Sequence, residues 1–277
     1  MDAKYVVFSS GALGGLSLIG CWQALEELNI SNNVKGMAGC SMGSVIATLA
    51  SLNYSTNQMK TIALNVHYED YSDHSLRSFS ETYGIESGRR LIRLLDRLIK
   101  FKTGHKERLT FKEHWRITGR QLWINATHVE TSKCEYYSVY TTPDMIITDA
   151  IRRSISIPFL FSAIKTETGT YVDGGCYDPV PAHMFKCNET ICFNVRNNKD
   201  IPEIITLDGL FEFSSALFSG MFTELNKLRF RTQEQLGYKM IYIHTKLGSI
   251  TLSLTPQQIE EIIAIGYKAV KEVITCV

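Results

Sequence analysis

The strongest constraint on how this chain folds is a grammar that occurs twice near its N-terminus: an apolar strand-forming run, a glycine-rich loop, then a helix. In the first unit, residues 5–9 (YVVFS) are β-branched and aromatic. They lead through a glycine loop to Leu18, Cys21, Trp22, Leu25 and Leu28, spaced along one helical face. In the second, residues 34–38 read as a strand, 39–43 as a tight turn and 44–52 as a helix of small and apolar residues. Strands that alternate with helices pair in parallel, so the pattern predicts an α/β fold with helices packed on the faces of a mostly parallel sheet.

Further along, residues 53–112 read as polar helix and loop. One amphipathic segment there carries Leu91, Ile92, Leu94, Leu95, Leu98 and Ile99 on its apolar face and arginines and lysines toward solvent. Residues 122–127, 135–139, 170–172 and 190–195 read as strands, and 145–154 as a short helix that Pro158 prevents from continuing. The last part predicts a helix over 210–236, a strand over 240–244 and a terminal helix starting near Pro256, a residue suited to a first helical turn. No repeat, low-complexity tract or linker marks a boundary. We therefore expect one domain over 1–277, with a motif-bearing core at about 5–190 and a C-terminal extension over 200–277.

Composition narrows the function. A net charge of +1 supplies no global basic field, so nucleic acid is not an expected partner and any membrane contact must be local. No apolar run approaches the length of a membrane span, and the N-terminus lacks the pattern of a secretory signal. Seven cysteines, an odd and scattered set without zinc-site spacing at Cys187 and Cys192, suit reduced thiols. These features predict a cytoplasmic protein, soluble or peripheral at membranes.

The segment GCSMG, with Gly39 and Gly43 flanking Ser41, fits G-x-S-x-G between a strand and a helix. A nucleophilic serine needs such a sharp turn to stand clear of the sheet edge, and glycines on both sides let backbone approach without a Cβ clash. The loop SSGALGG over residues 9–15 follows the first strand, where unpaired backbone N–H groups can bind an anion. A dinucleotide site would want G-x-G-x-x-G there, whereas this register has Ser10, Ala12 and Gly15. Asp173 ends a strand directly before Gly174 and Gly175, which permit a tight turn, and as a carboxylate it can take a proton from a serine hydroxyl. A triad would need a histidine after the acid. His183, in PVPAH, and His244, at a strand end, both have ordinary structural readings.

Taken together, the glycine loop, GCSMG and DGG, in that order, resemble the patatin-like phospholipases over about residues 6–180, and residues 141–164 look like that family's helix and proline turn before the aspartate strand. The resemblance implies a three-layer sandwich and calcium-independent hydrolysis of lipid acyl esters, of phospholipase A1 or A2 type, with no cofactor and no metal. It implies Ser41 as nucleophile, Asp173 as proton acceptor, and main-chain N–H groups around Gly11 and Ala12 as the oxyanion hole. This chain departs from the family's GGG-x-R/K-G loop at Ser10, Ala12 and Gly14, so the donors survive only where φ stays negative, and a cation for anionic head groups is missing. A Ser-His-Asp esterase and a catalytically weakened lipid-binding relative remain as alternatives.

Two apolar stripes bear on substrate. Phe211, Phe213, Leu217, Phe218, Met221, Phe222, Leu225 and Leu228 read first as core, and otherwise as an acyl groove or membrane surface. Ile259, Ile262, Ile263, Gly266 and Val270 read as core.

Overall fold

The computed structural model describes residues 3–66, 79–197, 209–247 and 253–275. In chain order the strands are β1 (Tyr5–Phe8), β2 (Gly36–Gly39), β3 (Gly84–Glu86), β4 (Gln121–His128), β5 (Lys133–Tyr137), β6 (Phe159–Phe161), β7 (Ile164–Thr166), β8 (Gly169–Asp173), β9 (Thr190–Asn197) and β10 (Lys239–Thr245). The helices are α1 (Ser17–Glu27), α2 (Met42–Ser51), α3 (Thr56–Asn65), α4 (Phe79–Thr82), α5 (Arg89–Thr103), α6 (Phe111–Thr118), α7 (Ile147–Ser154), α8 (Leu210–Gln235) and α9 (Pro256–Thr275).

An eight-stranded sheet in the order β10-β9-β1-β2-β4-β8-β7, with β5 also on β4, organises the chain. The run from β10 to β4 is parallel, and β5 and β8 pair with β4 antiparallel. The sheet is thus mixed but mostly parallel, with helices on both faces, as the alternation predicts. In β1 the two-residue period divides the core: Val6 and Phe8 pack with α1 and α2 on one face, while Val7 joins Ala38, Cys192, Val180 and Phe230 on the other. β3 and β6 pair as a separate two-stranded parallel sheet. These three-residue strands, like β7, are too short to show a period in the sequence.

The terminal helix packs tightly across α1. A Cβ at Gly20 would lie 1.8 Å from the Ile263 carbonyl oxygen, and one at Gly266 would lie 1.8 Å from that of Ser17. Two glycines therefore let the helix backbones meet, and Ile259, Ile262, Ile263 and Val270 are buried, as their spacing predicts.

The α8 stripe does not follow its first reading. Phe213, Leu217, Met221, Leu225 and Leu228 are exposed, and among the described side chains of the helix the buried ones are Asn226 and Phe230. Phe222 is half-buried, and the side chains of Phe211 and Phe218 lie outside the described residues. Helical spacing reports that one face is apolar, but a core also requires an element to cover that face. Among the described residues no helix is long and apolar enough to cross a membrane, and the six described cysteines form no disulfide.

Candidate active site

The parallel register of β1 and β2 brings two loops to one edge of the sheet, and antiparallel β8 delivers a third, with Asp173 level with Ala126 of β4. Phe8 is level with Gly39, so the segments leaving β1 and β2 start side by side, and the Cys40 N–H donates to the Phe8 carbonyl at 3.1 Å. Ser41 takes φ 54°, ψ −126°, a conformation costly for any residue with a Cβ. Its surroundings enforce the turn. The Gly43 N–H donates to the Cys40 carbonyl at 2.8 Å, and the Ser44 hydroxyl to the Ser41 carbonyl at 2.6 Å. Both flanking glycines are sterically required: a Cβ at Gly39 would meet the Gly43 carbonyl oxygen at 2.3 Å, and one at Gly43 would meet the Phe8 and Ser9 carbonyl oxygens at 2.3 and 2.4 Å. Ser41 itself is 3% exposed, less open than a protruding elbow suggests.

In the glycine loop, Gly11 is extended and packs against Val195, where a Cβ would approach to 3.0 Å. Ala12 has φ 44°, so its backbone is left-handed and the condition of a negative φ at this replaced glycine is not met. Ser10 donates its N–H to the Pro179 carbonyl, while no acceptor among the described residues takes the N–H of Gly11 or Ala12. Gly15 lies against Met42, so the loop and the elbow touch directly.

Asp173 ends β8 and is 5% exposed. Its Oδ1 accepts the Gly175 N–H at 2.7 Å, while Oδ2 is buried and makes no well-formed hydrogen bond. Burial pushes the carboxyl up to about 7. The nearby Ser41 hydroxyl, and after it the Gly175 N–H, pull the other way by favouring the ionised form. Gly174 lies against Asn125, and a Cβ at Gly175 would meet the Ser10 side chain at 3.0 Å, so the DGG turn also reaches the glycine loop.

Two positioning contacts escaped the sequence reading. Ser154, the last residue of α7, accepts the Ser41 N–H on its hydroxyl at 2.8 Å, and the Ser156 carbonyl accepts the Asp173 N–H at 2.9 Å. The SISIP segment thus ties the elbow to the aspartate turn, and Arg152 holds it by donating to the Ser87 and Ser162 carbonyls and the Ser156 hydroxyl. Two serines two apart before Pro158 were the only sign, and serines so near a helix end usually cap or turn the chain.

The histidines stand apart from this arrangement. His183 is mostly exposed and lies 3.6 Å from Asp178, His244 is exposed on β10, and neither bonds to Ser41 or Asp173. Among the described residues no cluster of three or more His, Cys, Asp or Glu side chains could hold a metal ion.

A mostly parallel sheet that gathers a strained serine turn, a glycine-rich loop and a buried aspartate is the kind of arrangement found in α/β serine hydrolases. Among solved structures, VipD from Legionella pneumophila superposes with a TM-score of 0.62 at 17% identity, covering 100% of this chain and 67% of VipD. The type III effector ExoU superposes with a TM-score of 0.57 at 14% identity, covering 99% of this chain and 53% of ExoU. In sequence, the uncharacterized protein R571 of Acanthamoeba polyphaga mimivirus is 27% identical, over 97% of this chain and 93% of R571. The probable lipid hydrolase 463L of Invertebrate iridescent virus 6 is 29% identical, over 75% of this chain and 70% of 463L. The pattern of the family described as Patatin-like phospholipase matches residues 6–186, and the chain belongs to that family.

Proposed function

We propose that this chain hydrolyses the acyl esters of lipids through Ser41 and Asp173. The observation that carries the reading is the strained Ser41 turn beside a buried carboxyl poised near neutrality, in a chain of this family. In this reading Asp173, once ionised, takes the hydroxyl proton as Ser41 Oγ bonds to the ester carbon. The N–H of Gly11, and that of Ala12 in spite of its left-handed backbone, stabilise the oxyanion, a contribution of about 3 kcal/mol per donor in comparable sites. Collapse of the intermediate expels the alcohol, which leaves with the proton from Asp173. Water then attacks the acyl-serine with Asp173 again as base, and the acyl–Oγ bond breaks as Asp173 returns the proton to Ser41, releasing the fatty acid. No step calls for calcium, and a phospholipase A1 or A2 type of cleavage at a membrane surface fits the proposal.

The test is Ser41→Ala, in a protein checked for folding by circular dichroism. Hydrolysis of a short-chain ester should fall to background, and labelling by an organophosphorus probe should disappear. Undiminished turnover would defeat the reading.

Two observations favour a second reading, a lipid-binding relative with weakened turnover: the left-handed Ala12 and the absence of a cation at Gly14 alter the oxyanion loop. Under it the folded wild-type protein would bind lipid but take no label at Ser41.

A further inference from the structure

α5 is held to the protein by one face and presents a different chemistry on the other. Ile92, Leu95 and Ile99 are buried, left-handed glycines at Gly88 and Gly104 cap the two ends, and Arg108 ties the helix to α7 through Asp96 at 3.0 Å and Asp149 at 2.6 Å. The helix cannot roll. Its fifteen residues contain six cations and a single carboxylate, in a chain whose net charge is +1. That carboxylate, Asp96, is the one already engaged by Arg108.

Arg89, Arg93 and Arg97 recur every fourth residue along the exposed face, and none has an acidic partner among the described residues. Phe101 continues the same spacing and is 83% exposed, more than any other large apolar side chain described. Helix stability does not account for this arrangement. Arginines occupy the first turn, which has no acidic residue, and positive charge there opposes the helix dipole.

We propose that this face of α5 docks on an anionic lipid surface, the arginines meeting head groups and Phe101 entering the acyl boundary. The inference rests on the lipid reading of the active site and adds the surface through which the enzyme reaches its substrate. Charge complementarity points to an anionic occupant, and the exposed phenyl ring favours a bilayer over a nucleic acid. Position supports it too. Arg152 holds the Ser87 carbonyl just ahead of α5, two residues from the Ser154 hydroxyl that accepts the Ser41 N–H, so α7 links the start of the arginine row to the serine turn.

The experiment uses full-length Ser41→Ala protein, which leaves vesicles intact, floated with phosphatidylcholine vesicles or with vesicles in which about one third of the lipid is phosphatidylserine. We expect partitioning only to the anionic vesicles, weakening as salt rises. Since each cation near such a surface is worth roughly five-fold in binding, Arg89→Gln/Arg93→Gln/Arg97→Gln should weaken partitioning by about a hundred-fold. The corresponding lysine triple should retain most of it, which separates charge from misfolding, and Phe101→Ala should weaken it without changing the salt dependence. The glutamine triple made on the active chain should hydrolyse a soluble short-chain ester normally. Equal flotation with both vesicle types, full binding by the glutamine triple, or preference for RNA over anionic vesicles would overturn the proposal. Because the binding assay needs no turnover, an inactive wild-type enzyme would defeat the lipase reading alone. An active enzyme that ignores anionic vesicles would defeat the docking face alone.

Discussion

With its carboxyl raised from 3.8 to about 7, Asp173 keeps its proton in the folded protein over a pH range in which the unfolded chain has already ionised. The unfolded state therefore binds fewer protons across that window, and stability falls as pH rises through it, by a few kcal/mol in all. Below the ordinary carboxylate value the penalty is absent, and above about 7 it is constant. Asp173→Asn should accordingly unfold at a higher temperature than wild type, with a difference that is small in acid, grows through this window and levels off above neutrality. Activity should run the opposite way: kcat/KM for a soluble ester rises toward alkaline pH with a midpoint near 7, and the Asn variant loses nearly as much turnover as Ser41→Ala. A wild-type rate that is flat from pH 5 to pH 8 would separate the base from Asp173. The residues of this site were legible in unequal degree. Ser41, Gly39, Gly43 and Asp173 stand in short motifs whose glycines announce tight turns, whereas Ser154 acts through a hydroxyl 113 positions from its partner, a pairing set by how α7 meets α2. The left-handed Ala12 was invisible too, since its φ runs against alanine's own preference.

At the level of elements, the paired glycines of α1 and α9 matter more than their helix propensity suggests. Gly20→Ala would gain helix propensity in an isolated peptide, by about 1 kcal/mol, yet here the added methyl meets a carbonyl oxygen at 1.8 Å, and the helices must separate. We expect a net loss of about 2–4 kcal/mol, measured as a lower urea midpoint with little change in its slope. Helix and strand identities were largely readable from period and from turn residues. What the sequence hid was which apolar faces find a partner. The stripe on α9 meets α1 and is buried, while on α8, among the described side chains, Asn226 and Phe230 are buried and Phe213 and Met221 lie in solvent. Both stripes satisfy the same spacing rule, and the difference lies in the tertiary neighbours.

Over the whole molecule, the family match ends at residue 186, but the sheet continues. β9 lies between β1 and β10, and the β10 register runs from Lys239 to Thr245 against Ile191 to Asn197, so the C-terminal part supplies the strand that pairs with β1 and a further strand beyond it. We infer a single cooperative unit. Thermal unfolding followed by far-ultraviolet circular dichroism, which senses α9, and by tryptophan fluorescence, which senses buried Trp22 on α1, should give coincident curves. Two separated transitions would mean that the extension folds independently. The crossing of α1 by α9 also has an engineering consequence. α9 is held to α1 by side-chain burial, by the close fit at Gly20 and Gly266 and by the Tyr267 hydroxyl donating to Glu27. A chain severed just before Pro256 and given the missing helix as a synthetic peptide would then report, by regained ester cleavage, the arrival of that peptide. The glycine crossing thereby offers the seam for a split-enzyme sensor.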